Sequence, residues 1–221
     1  MNLPIEFITQ MQNMLGDDYF KFESSLQLPP PVSIRTNPNK VSDNIIPGLC
    51  IENSVPWCDN GYYLPNRPNF TLDPLFHAGC YYVQEACSMF IHNILKPHIS
   101  DKPLRILDLC GAPGGKSTLL LSQMPKGSIL FTNEINRKRS NILRENIIKW
   151  GHPDVVVTNN SSEDYKHSLL KFDIILCDAP CSGEGMFRKN PSSIEEWSLS
   201  NPVKSISLRA CKYSISWFPI L

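Results

Sequence analysis

From residue 104 onward, short apolar runs alternate with helix-like stretches, and few folds accommodate that alternation. Leu104–Leu109 reads as a buried strand, followed by a glycine-rich turn and a helical pattern over Gly115–Ser122. Ser128–Thr132 reads as a second strand. A helix follows, capped by Asn136 and closed by Gly151, then strands at Val155–Thr158 and Phe172–Leu176. Strands joined by helical crossovers give a parallel, doubly wound sheet, because a parallel pair needs a long connection of one hand. The expected fold class is therefore α/β with a Rossmann-like sheet in strand order 3-2-1-4. Such sheets bind ligands at the carboxyl ends of their strands.

The first hundred residues read differently. Ile5, Ile8, Met11 and Leu15 recur at helical spacing, and Val32–Arg35 reads as a strand after Pro29-Pro30-Pro31. Residues 41–78 carry turn formers without a period. Tyr82, Ala86, Phe90 and Ile94 recur every fourth residue, which predicts a helix ending near Lys96-Pro97. Eleven of the nineteen prolines precede residue 100, as in a loop-rich module. The expected organisation is a small α/β module over 1–97, with its linker helix, and a nucleotide-type domain over 98–221.

Composition narrows the function classes. A hydrophobic fraction of 42% and a charged fraction of 19% are those of an ordinary globular chain. No apolar run reaches the ~18 residues of a membrane span, and the first twenty residues carry no Lys or Arg. The expected compartment is the cytoplasm, with no membrane partner. The eight cysteines form no C-x-x-C pair, so no metal site is expected. Net charge is zero, yet residues 101–221 hold 16 basic and 12 acidic side chains, so a surface for RNA should be local and lie there.

The turn after the first strand reads Asp108-Leu109-Cys110-Gly111-Ala112-Pro113-Gly114-Gly115-Lys116-Ser117. Glycines allow close backbone approach to a ligand, and the helix that follows offers free N–H donors. Two nucleotide classes compete for such a loop. A phosphate loop would end in the same Gly-Lys-Ser, but it needs glycine at position 110, which is cysteine. Glu134 ends the second strand some ~20 residues past the glycines, where an acid can accept both ribose hydroxyls; it also reads as a helix-start charge ahead of Asn136.

The run from Cys177 through Asp178-Ala179-Pro180-Cys181 to Gly185-Met186-Phe187-Arg188-Lys189 resembles the Pro-Cys motif of RNA cytosine-5 methyltransferases, the NOL1/NOP2/Sun family, in its bacterial 16S ribosomal RNA branch. The loop over Cys110–Lys116 resembles that family's Asp-x-Cys-x-Ala-Pro-Gly-Gly-Lys segment. Pro-Val-Ser-Ile-Arg-Thr-Asn-Pro, residues 31–38, resembles the start of its N-terminal module. The resemblance implies a class I methyltransferase fold and S-adenosylmethionine as cofactor. It implies cofactor contacts from Cys110, Gly111, Ala112, Pro113, Gly114, Gly115, Lys116, Glu134, Ser161 and Asp178. Asp178 would hold the cytosine edge beside the cofactor, and Cys181 would assist product release. Arg188 and Lys189 would meet RNA phosphates, although a solvated basic pair fits them equally. The family's acid facing the adenine amino group falls at Ser161, a departure from the pattern.

In this family a second cysteine attacks cytosine, in a Thr-Cys segment after a Pro-Gly-Gly turn. The sequence ends before any such segment, so a C-terminally shortened sheet is expected. The reading is an rRNA cytosine-5 methyltransferase, with a non-catalytic cofactor- or RNA-binding remnant as the alternative and a phosphate-loop protein as a remote one.

Overall fold

The computed structural model describes residues 2–42, 46–179, 183–190 and 192–198. Its contacts divide the described residues into two compact units, one built from 31–178 and the other from residues up to 30 together with the described residues between 179 and 198.

The larger unit contains two sheets. The first comprises β1 (Val32–Thr36), β2 (Asn53–Ser54), β3 (Gly61–Leu64) and β4 (Tyr81–Val83), in antiparallel order β2-β3-β1-β4. The short helix α3 (Pro74–His77) precedes β4, its N-cap Asp73 accepting from the Leu75 N–H. These elements account for the stretch 41–78, whose two- and four-residue strands are too short to show a period. Helix α4 (Ile91–Leu95) leads through a 3-10 turn at Lys96–His98, where the expected 97/98 boundary falls, toward the second sheet.

One expected element is corrected. The helix expected through Tyr82, Ala86, Phe90 and Ile94 is not one element: Tyr81–Val83 is strand, Cys87–Phe90 is 3-10, and only Ile91–Leu95 is α-helical. Two aromatics and a β-branched residue favour a pleated surface. Their pairing with β1, Arg35 opposite Tyr82 and Ile34 opposite Val83, outweighs a four-residue spacing that no capping residue supports.

The second sheet follows the alternation of the sequence. It comprises β5 (Arg105–Asp108), β6 (Ile129–Asn133), β7 (Val155–Thr158) and β8 (Ile174–Leu176), all parallel, in order β7-β6-β5-β8. In chain order that is the expected 3-2-1-4. Helices α5 (Gly115–Gln123) and α6 (Arg137–Trp150) form the crossovers, and α7 (Ser162–Lys166) follows β7. The Asn136 side chain caps α6 by accepting from Lys138 and Arg139, and Gly151 closes it with φ 80°.

One core serves both sheets. Met89, Val55 and Cys58 from the first half pack in the same cluster as Ile106, Leu119, Leu120, Leu130 and Leu143. Each such aliphatic contributes about 1.5–3 kcal/mol on burial. Arg35 of β1 is 1% exposed. Its guanidinium donates to Gln84 Oε1 (3.0 Å), Thr118 Oγ1 (2.6 Å), Ser122 Oγ (3.1 Å) and the carbonyls of Gly115 (3.2 Å) and Thr118 (3.3 Å). Asn37 and Lys40 hold the far end of α6 by donating to the carbonyls of Trp150 (2.8 Å) and Lys149 (2.6 Å).

The smaller unit contains α1 (Ile5–Leu15), α2 (Tyr19–Gln27) and the short α8 (Ser192–Glu195). Phe7, Met11 and Tyr19 bury against Phe187 and Trp197, with Phe7 edge-on to both aromatics at 5.2 and 5.6 Å.

Candidate cofactor site

The loop between β5 and α5 is fixed by side chains that turn its carbonyls toward the protein. The Gly111 N–H donates to the Asn133 carbonyl at 2.7 Å, and Asn133 Nδ2 donates to the Leu109 carbonyl at 3.1 Å. A Cβ at Gly111 would lie 2.2 Å from Thr132 Oγ1, so only glycine lets the loop sit this close to β6. Gly114, with φ 116°, starts α5 without any side-chain cap. The first-turn N–H groups of this nine-residue helix therefore lack intrahelical partners, and a helix start of this kind suits an anionic or dipolar ligand.

Beneath the loop, Asp108 is completely buried. Burial pushes its carboxyl up to about 6, opposed by the hydrogen bond from Ser117 Oγ to Oδ2 at 2.6 Å. Its other oxygen, Oδ1, has no partner among the described residues. The Cys110 thiol is pushed well above the ordinary thiol range, first by its hydrogen bond with Cys177, then by burial and the nearby carboxylates. It is a neutral thiol at physiological pH and not a nucleophile.

Glu134 follows β6 and is almost fully buried. Its Oε1 accepts from the Asn136 N–H at 2.9 Å, and Oε2 pairs with Arg139 Nη1 at 3.3 Å. Lys116, in the first turn of α5, pairs with Asp178, two residues past β8. The lysine is mostly buried (17% exposed) and the aspartate half-exposed (52%). The structure thus brings Cys110–Lys116, Glu134 and Asp178 to the carboxyl edge of β5, β6 and β8.

Ser161 follows β7 and serves as N-cap of α7. It forms a capping box in which its Oγ accepts from the Asp164 N–H at 3.3 Å and its own N–H donates to Asp164 Oδ2 at 2.7 Å, with a further Oγ donation to the same oxygen at 2.8 Å. Those two donations hold the Asp164 carboxyl below the usual range. Cys181 lies outside the described residues. Arg188 and Lys189 belong to the smaller unit, where Arg188 Nη1 donates to the Ser25 carbonyl at 3.3 Å. Two contributors escaped the sequence reading: Arg139 donates to the Ala112 carbonyl and Asn146 to the Pro113 carbonyl, both at 2.8 Å. Their seven-residue spacing on one helix face was the available signal.

An open groove of about 820 Å³ between α6 and β7, walled by Arg137, Arg144, Val155 and Val157, contains none of these residues. Among the described residues no helix is long and apolar enough to cross a membrane, and no three His, Cys, Asp or Glu cluster as a metal site.

Residues 3–86 match the family model for the N-terminal domain of 16S rRNA methyltransferase RsmF, and residues 92–200 match that for 16S rRNA methyltransferase RsmB/F. The chain belongs to the RsmB/F family. Among curated RsmB/F relatives, the ribosomal RNA small subunit methyltransferase F of Erwinia tasmaniensis is 33% identical over 211 residues, covering 90% of this chain and 44% of the relative. That of Vibrio cholerae is 33% identical over 223 residues, covering 94% and 46%. The chain spans less than half the length of these relatives.

Solved structures agree on the fold. A methyltransferase homologue from Pyrococcus horikoshii superposes with TM-score 0.67 at 26% identity, over 86% of this chain and 68% of that one. NSun6 from the same organism gives 0.77 at 18%, over 93% and 77%. RsmB/F membership sets the phosphate-loop alternative aside.

Proposed function

We propose that this chain carries the cofactor-binding part of an S-adenosylmethionine-dependent rRNA cytosine-5 methyltransferase. The observation that carries the reading is the convergence of an uncapped helix start, a buried acid and a Lys–Asp pair on one sheet edge. The residues fit the cofactor. Gly111 leaves no room for a side chain and keeps the loop flush with β6. Glu134 uses one acceptor site on each oxygen and keeps others for ribose hydroxyls. Ser161 and its neighbours flank the adenine side. The cofactor supplies an electrophilic methyl group when bound.

The remaining chemistry needs the target RNA and an attacking thiolate, which in the family comes from a Thr-Cys segment that does not occur in this sequence. Carbon-5 of cytosine becomes nucleophilic only after a thiolate adds to carbon-6, and the target base must leave its stack to reach such a site. Asp178 would hold the ring edge, with its ion pair to Lys116 fixing where the carboxylate sits. Cys181 would assist elimination, and Arg188 with Lys189 would meet phosphates. Module 1–97 would serve the RNA side and 98–221 the cofactor side, in the cytoplasm where ribosomal RNA is modified.

Calorimetric titration tests the reading. Binding of S-adenosylmethionine or S-adenosylhomocysteine is expected, with none of ATP and magnesium. The reverse pattern would overturn it.

A further inference from the structure

Helix α6 holds the cofactor loop at two consecutive carbonyls. Arg139 takes that of Ala112 and Asn146, two turns on, takes that of Pro113, both at 2.8 Å. Between them Leu143 packs fully buried, and Gly114 faces Asn146 so closely that a Cβ there would lie 3.3 Å from its Cβ. In a trans peptide the C=O and N–H point in opposite directions. Fixing the Pro113 carbonyl on α6 therefore turns the Gly114 N–H away from that helix.

Arg139 has a second task. Its other terminal nitrogen lies 3.3 Å from Glu134 Oε2, so one planar guanidinium spans the loop and the acid. Glu134 is only 4% exposed, whereas Arg139 is 48% exposed. A rigid fork suits two acceptors at fixed separation, which an ammonium group cannot serve in the same way.

We propose that Arg139 and Asn146 are positioning residues of the cofactor site. Asn146 sets the backbone of the loop. Arg139 sets both the loop and the carboxylate that receives the ribose hydroxyls. The inference rests on the S-adenosylmethionine reading above and assigns roles to residues that reading does not use. It also predicts an asymmetry between the two side chains: the larger part of the Arg139 contribution, through Glu134, depends on the ribose hydroxyls, and the Asn146 contribution does not.

Titrating wild type, Arg139→Met and Asn146→Ala with S-adenosylhomocysteine and with its 2′-deoxy analogue separates the outcomes. Arg139→Met is expected to weaken S-adenosylhomocysteine about tenfold and the 2′-deoxy analogue less than about threefold, the difference being a charge-assisted bond that the analogue cannot make. Asn146→Ala should weaken both ligands by the same factor. Arg139→Lys, which keeps the charge on Glu134 without the fork, should fall between Met and wild type and also serves if the Met variant does not fold. Equal losses for the two ligands in Arg139→Met, or unchanged affinity in both variants, would overturn the assignment while leaving the cofactor reading intact. A wild-type chain that binds neither ligand would overturn both.

Discussion

The Arg35 guanidinium lies 4.6 Å from the centroid of the Trp150 ring, fully buried and with no carboxylate paired to it among the described residues. An isolated charge is costly inside a protein, and burial lowers this guanidinium to about 10. It stays protonated at neutral pH because five hydrogen bonds to neutral oxygens and an aromatic face replace its water.

Removing that group should be costly to stability. Arg35→Met leaves buried Gln84 Oε1 without its donor, an orphaned acceptor costing about 1–3 kcal/mol, and takes one of two side-chain donors from each of the carbonyls of Gly115 and Thr118. The urea midpoint is expected to fall correspondingly, with Arg35→Lys nearly as unstable. A midpoint unchanged by either substitution would show that water takes over the bonds.

Asp108 predicts a pH dependence. The folded state holds its carboxyl at about 6, above the ordinary carboxylate value, because burial favours the neutral form. Protonation therefore stabilises the fold. That contribution is complete below the unfolded pKa near ~4 and is lost as pH rises through about 6, a swing on the order of 3 kcal/mol. Asp108→Asn should flatten the stability profile across this window. Parallel profiles for the two proteins in denaturant melts would refute the shift.

Gly111 and Gly185 form a matched pair. A Cβ at Gly111 meets Thr132 Oγ1 at 2.2 Å and Ser117 Oγ at 2.9 Å, whereas at Gly185 nothing lies within 4 Å. Gly111→Ala is expected to destabilise by about 1–3 kcal/mol through overpacking and to abolish cofactor binding. Gly185→Ala should leave the melting temperature unchanged. Equal melting temperatures for both variants would contradict the close approach.

Ser161→Asp adds the carboxylate expected on the adenine side, while giving up the Oγ donation to Asp164 and setting a like charge beside it. Affinity for S-adenosylhomocysteine should rise about tenfold if the new acid recovers ~1.4 kcal/mol. Calorimetry that finds no gain removes Ser161 from the cofactor contacts and leaves it a cap.

What the sequence disclosed was carried by local signals. Asn136 and Gly151 bracket α6 because a cap and a left-handed closure act on their own neighbours, and the parallel pairing of the second sheet followed from its helical crossovers. The Tyr81–Val83 strand was not legible, because its partner β1 lies nearly fifty residues earlier and the helical spacing competed with it. Arg35 was read as a strand residue only. Four of its five hydrogen bonds go to α5, eighty or more residues away, and nothing in the segment Pro31–Pro38 announces a buried cation. Arg139 and Asn146 likewise acquire meaning only once α6 is known to lie against the loop.

The Arg35 contact also bears on how such proteins can be recombined. One side chain from β1 reaches the first turn of α5 and stacks on Trp150, the last residue of α6. A chimera joined in the interval between the two family-matched segments, residues 87–91, would keep each segment whole yet bring a foreign guanidinium to acceptors shaped for another. Grafts should therefore succeed only when Arg35, Thr118, Ser122 and Trp150 travel from the same parent, making this polar joint, rather than the connecting chain, the natural unit of exchange.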